Sequence, residues 1–214
     1  MPNRPDSMLD WIGIAASLLM FLGYELALQR RARLQPTRVA RLAHAQLRAE
    51  WIEALAKHPG SELLGVQTLR NSLMSATIIA STWALSLMGT VALIGRSPVP
   101  TNFDAALTPR VVVTVLLLST LFASVLVALI AIRFFNHAGY MISLPVGSAP
   151  RTAATPDSVE YMRRAGHFYS LSVRSFFSIA PLVVGTLSPA LMVLPAAGML
   201  VALAAFDQVP RSKA

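Results

Sequence analysis

The chain contains no cysteine. That absence excludes disulfides, thiolate metal sites and thiol catalysis. Charge is scarce as well: 13% of the residues are Asp, Glu, Lys or Arg, where soluble domains carry about 25%. Acid is scarcer than base, with 10 acidic against 18 basic residues and a net charge of +8. Of the four histidines, His137 and His167 come closest to a site, and their spacing fits no haem or metal-ligand motif. Paired carboxylates, a nucleophile elbow and a glycine-rich phosphate loop are all missing from the sequence. An enzyme is therefore the least supported class, and no cofactor, metal site or catalytic residue is expected.

What the chain has instead is apolar length. Four runs stand out: Trp11–Leu28, Leu73–Ile94, Val111–Ile132 and Ser175–Phe206. Only the first holds a charged residue, Glu25. A helix needs about 20 apolar residues to cross the hydrocarbon core of a bilayer. The sequence thus predicts an all-α integral membrane protein with four transmembrane helices, folding as one unit over residues 1–214. The last run is too long for one simple crossing and too short for two. It also contains Pro181, Pro189 and Pro195, so it is expected either to kink and tilt or to re-enter. The first run is expected to be a retained anchor and not a cleaved signal, because Asp6 and Asp10 precede it and arginines follow it.

The arginines set the orientation. Segment 29–71 carries Arg30, Arg31, Arg33, Arg38, Arg41, Arg48, Lys57 and Arg70, and segment 133–174 carries Arg133, Arg151, Arg163, Arg164 and Arg174. Only Arg4, Arg96, Arg110, Arg211 and Lys213 remain for the other side. Cytoplasmic loops hold the excess of Lys and Arg. Both long loops are therefore predicted to be cytosolic and both termini to lie outside. With heavy Ala, Leu and Arg usage, this points to the inner (plasma) membrane of a bacterium. No nucleic-acid recognition module accompanies the charge.

Local patterns refine the picture. After Pro36-Thr37, residues 38–57 read as an amphipathic cytosolic helix with Val39, Ala43, Leu47, Trp51 and Ala54 on its apolar face. His58-Pro59-Gly60 ends it, and Ser61 can cap a continuous helix over Glu62–Ile94 that starts in the cytosol. Residues 95–110 form a turn-rich outer loop. Segment 136–156 reads as an irregular inner loop, with Thr155-Pro156 starting a helix that leads into the last span. Two of the four membrane helices are thus expected to extend into the cytosol.

Three groups of residues carry the functional expectations. On the second span, Thr68, Ser72, Ser75, Thr82 and Ser86, with Ile79 and Gly89, form one helical stripe facing protein or water. It serves either close helix packing or a polar path around an oligomer axis. Glu25 needs a partner or a wet path within the membrane. Arg70, Arg133 and Arg174 lie at its expected depth. Arg163 and His167 share a basic face, with aromatics nearby, that suits anionic lipid headgroups or a positive vestibule.

The stretches Val66-Gln67-Thr68-Leu69-Arg70-Asn71-Ser72-Leu73-Met74 and Arg174-Ser175-Phe176-Phe177, followed by Ala180-Pro181-Leu182, resemble the domain of unknown function 599 family of membrane proteins, found in bacteria and plants. The resemblance runs from the first span to the last, though Gly185 stands where an aromatic is expected. It implies a four-span membrane protein, without an activity. It also implies that Gln67, Arg70, Asn71 and Arg174 belong to a shared pattern. With Glu25 and Arg133 these make an expected polar cluster at the cytosolic interface. The leading expectation is a homo-oligomeric channel or transporter for a small, anionic solute. The alternative is a non-catalytic scaffold that binds anionic lipid or a protein partner through its basic cytosolic face.

Overall fold

Prolines, glycines and hydroxyl caps cut the chain into helices. The computed structural model describes residues 8–35, 39–95 and 108–207, without the Arg41 side chain. Among these, the structure is all α, with no strand: α1 (Met8–Leu34), α2 (Ala40–Lys57), α3 (Glu62–Ile94), α4 (Pro109–Ile142), α5 (Ala149–Leu187), a short 3-10 turn (Pro189–Met192) and α6 (Val193–Phe206). The helix start expected at Pro36-Thr37 and most of the outer loop 95–110 fall outside the described residues.

The bounds of α3 match expectation, although Ser61 does not cap it. Its hydroxyl donates instead to the carbonyls of His58 (2.6 Å) and Leu55 (3.2 Å), closing the end of α2. Gly60, at φ 84°, makes the turn between these helices, a backbone conformation that costs glycine little. The irregular loop expected over 136–156 shrinks to residues 143–148, because α4 continues to Ile142 and α5 begins at Ala149. Ser148 is the cap that wins over Thr155: its hydroxyl accepts the Arg151 N–H (3.3 Å) and Pro150 fits the first turn. Pro156 then lies within α5 on an exposed face.

The largest correction concerns the last apolar run. It breaks at Ser188, where the backbone turns extended, and α6 returns alongside α5. Pro189 opens the turn because it cannot continue the ladder. Asp10 at the start of α1 accepts the Ala190 N–H (3.2 Å), so the turn packs on the first helix. Gly13 is the contact point, since a Cβ there would meet the Pro189 carbonyl and lie 2.8 Å from the Ala190 Cα. Among the described residues, five helical segments are long and apolar enough to cross a membrane: α1, α3, α4, α5 and Pro189–Phe206.

This reversal also moves the chain's last described residue. Asp207 lies beside Glu25 and Tyr24 of α1, and its carbonyl accepts the Ala40 N–H (3.1 Å). It therefore sits at the end of the bundle opposite Met8. Proline placement, and not run length, decides the direction of the chain here.

Helix α4 forms the axis of the fold. Val113, Leu117, Leu121, Ser124, Ala128, Ala131, Phe135, Ala138 and Ile142 are buried along it at alternating steps of three and four, facing α3 and α5. Two apolar clusters stack along this axis. One joins Ala80, Trp83, Val113, Leu117 and Leu182, and the other Ile52, Leu55, Leu69, Phe135 and Met162. Gly185 lies against α4, where a Cβ would be 2.9 Å from Val113 Cγ1 and 3.0 Å from Met192 Sδ. There is no room for an aromatic at that position.

Helix α2 turns inward a face that overlaps the expected one only in part, since Trp51 packs half-buried against the core while Leu47 and Ala54 are exposed. Its buried residues are Ala40, Ile52 and Leu55, with Val39 buried just before it, whereas Leu47 is 63% exposed. Arg48, one turn before Ile52, points toward α5. The competing apolar stripe misled the periodicity argument, because the inward face carries an arginine.

Candidate functional site

Three charged residues and a tyrosine meet where α1, α5 and α6 converge. Arg174 donates from Nη1 to both Asp207 oxygens (2.5 Å) and from Nη2 to Glu25 Oε1. Tyr24 donates its hydroxyl to Asp207 Oδ2 (2.7 Å). At about 1.5 Å per residue, Arg174 lies about 20 Å along α5 from Leu187. The cluster thus lies toward the end of the bundle where the arginines gather. The expected Glu25 ion pair is made with Arg174. Gln67, Arg70 and Asn71 are exposed on α3, and Arg133 is exposed on α4, and none of them joins it. Asp207 and Tyr24 were not foreseen. The acid that ends an overlong apolar run was the available signal.

The hydroxyl stripe faces away from the chain's own core. The core side of α3 consists of Gly65, Leu69, Ala76, Ala80 and Trp83. Thr68, Ser72, Ser75, Thr82 and Ser86 each donate to the carbonyl four residues earlier, at 2.8–3.3 Å. Back-bonding of this kind satisfies the hydroxyl within its own helix. The hydroxyls of the stripe can therefore face lipid at little cost, while Ile79 on the same stripe packs against the core.

A groove of about 1120 Å³ opens between α2, α4 and α5 at the basic end. Arg48, Arg163, Arg164 and His167 line it together with Glu50 and Glu160, and Leu42, Leu47, Ile130, Phe134 and Phe168 supply its apolar wall. The apolar run of α4 ends at Arg133, and the lining residues Ile130 and Phe134 flank that point. The groove thus straddles the border between apolar and basic zones.

Arg48 is the unusual member. Its guanidinium lies flat on Gly166, where even a Cβ would clash with it. The side chain is half-buried, and its Nε has no hydrogen-bond partner among the described residues. Burial lowers its pKa from the ordinary value, yet an arginine stays charged at neutral pH. A partly desolvated cation with an unmet donor favours an anion nearby. Of the two residues expected to contact lipid, Arg163 is bound to Glu160 (Nε–Oε2 2.8 Å, Nη2–Oε1 2.9 Å) and His167 lies on the groove wall. Arg164 shares Glu160 (2.6 Å) and lies over the Phe134 ring, 5.9 Å from its centroid.

The family model described as "Protein of unknown function, DUF599" matches residues 12–212. The chain belongs to this family. No curated protein and no solved structure matches it. Membership brings no activity to the DUF599 chain, whose site must be read from its own residues. Both the ion cluster and the groove fall within the matched segment.

Proposed function

We propose that this DUF599 protein is a non-catalytic membrane scaffold that binds anionic lipid from the inner leaflet, in the groove between α2, α4 and α5. The observation that carries the reading is the half-buried Arg48, with an unmet Nε donor, beside Arg163, Arg164 and an apolar wall. A lipid phosphate meets the guanidiniums while an acyl chain lies along Leu42, Leu47 and Phe134. Basic residues next to the bilayer attract anionic headgroups by about 1 kcal/mol each.

The orientation is part of the proposal. The arginine-rich end of the bundle faces the cytosol by the positive-inside rule. Because α6 ends there too, Met8 lies on the outer face and Asp207 on the inner one. In this cysteine-free chain, single cysteines introduced by Met8→Cys and Glu53→Cys report the two sides separately. An impermeant thiol reagent outside sealed vesicles of native orientation labels the first and spares the second. Labelling of both from one side contradicts the orientation.

The lipid reading is tested by native mass spectrometry of protein taken from nanodiscs of mixed phosphatidylglycerol and phosphatidylcholine. Retained lipid is expected to be phosphatidylglycerol. Arg48→Gln should weaken its retention about tenfold or more, since a charge-assisted hydrogen bond contributes about 1.5–3 kcal/mol. Equal retention of the two lipids by the unsubstituted protein contradicts the reading.

A homo-oligomeric channel or transporter for a small anionic solute is the second reading. It is favoured by the position of the hydroxyl stripe on the outer face of α3, where a neighbouring copy could meet it. It requires a closed ring of copies, which the same mass spectra would count.

A further inference from the structure

Glu160 stands in the wall of a groove otherwise suited to an anion. Its two carboxylate oxygens are held by Arg163 and Arg164, in a fork that a phosphate group would fill in the same way. The three residues are neighbours on one helix, and their side chains are 37–61% exposed. Ion pairs this exposed hold weakly, so an incoming anion can take them over. Arg48 reaches the same stretch of α5 from across the groove, at Gly166. One phosphate in the groove can therefore engage arginines of both helices once Glu160 lets go.

We infer that Glu160 is a built-in competitor for the groove: it holds Arg163 and Arg164 until the phosphate of an anionic lipid replaces it. This rests on the lipid reading above and adds its regulation. While Glu160 occupies the two arginines, it offsets one of the groove's positive charges. A headgroup that brings its own cation, such as choline, returns a positive charge beside the arginines, whereas phosphatidylglycerol does not. The competitor thus raises the threshold for binding, and only a lipid with net negative charge passes it.

The test compares Glu160→Gln with Glu53→Gln, which removes the same charge from an exposed position on α2 that does not line the groove. Each protein is titrated in detergent with phosphatidylglycerol or phosphatidylcholine, and bound lipid is counted by native mass spectrometry. Glu160→Gln is expected to bind phosphatidylglycerol about three- to tenfold more tightly, the gain from releasing two exposed ion pairs. Glu53→Gln should leave affinity unchanged. Glu160→Asp, whose shorter side chain reaches the arginines less well, should give a smaller gain and serves if the Gln variant folds poorly.

No gain from either Glu160 variant overturns the inference while leaving the lipid reading intact, provided Arg48→Gln still loses phosphatidylglycerol. Loss of affinity in Glu160→Gln also overturns it, because Glu160 would then be a contact to the headgroup. Equal gains in Glu160→Gln and Glu53→Gln reduce the effect to bulk charge and overturn it as well. An unsubstituted protein without preference between the two lipids removes the underlying reading and the inference together.

Discussion

Arg174→Met is expected to destabilise the protein by about 3–5 kcal/mol, the usual cost of removing one partner from a buried ion pair. The substitution leaves Glu25 and Asp207 facing each other without their shared cation. The tie from α5 to α1 and to the end of α6 is lost, while Asp207 keeps the bonds from the Tyr24 hydroxyl and the Ala40 N–H. Arg174→Lys should recover only part of the loss, since a single ammonium cannot reproduce a planar fork aimed at two carboxylates. The triple variant Glu25→Gln, Arg174→Met, Asp207→Asn should recover more, because no unpaired charge then remains buried. Denaturant titration in mixed micelles checks the series. An Arg174→Met midpoint equal to that of the unsubstituted protein would show that the cluster does not hold the bundle together.

Trp83→Ala should cost a comparable amount, about 3–5 kcal/mol. Trp83 is 0% exposed and lies at the meeting of α3 and α5. Its ring stacks on Phe176 with centroids 4.0 Å apart, and its Nε1 donates to Ser172 Oγ (3.0 Å). Truncation opens a cavity in the cluster with Ala80, Val113, Leu117 and Leu182 and removes the hydrogen-bond donor on which Ser172 relies. Trp83→Phe keeps most of the volume and the stack, so it should lose roughly 1–2 kcal/mol, about the value of one hydrogen bond. The same titration separates the two variants, and equal losses from Phe and Ala would shift the weight from packing to the hydrogen bond.

The helices were legible in the sequence because their signals are local. A helix over about Glu62–Ile94 followed from the Pro59-Gly60 break before it and the turn formers after it, and the structure gives those bounds. The reversal at Ser188 was less legible. Pro181, Pro189 and Pro195 offered three candidate breaks, and only the long-range contact between Asp10 and Ala190 distinguishes the one that turns. Pro181 stays within α5 and Pro195 falls in the first turn of α6, where its missing N–H costs little. Half of the ion cluster followed from one physical rule, that an acid within a span needs a partner. Asp207 escaped because its position depends on the reversal. Arg48 escaped because periodicity found a cleaner apolar face on α2. The packing of Gly166 against Arg48 selects the face that is actually buried, and that contact is a tertiary fact.

The groove's place at the inner border is the claim on which the functional account stands. The most direct measurement is photo-crosslinking of the reconstituted protein with a phosphatidylglycerol that carries a photoreactive headgroup, followed by peptide mapping. The account predicts adducts concentrated within residues 42–50 of α2 and 160–168 of α5, and lost in Arg48→Gln. Adducts spread over the outer faces of α1, α3 and α4, with none in those two segments, would contradict it.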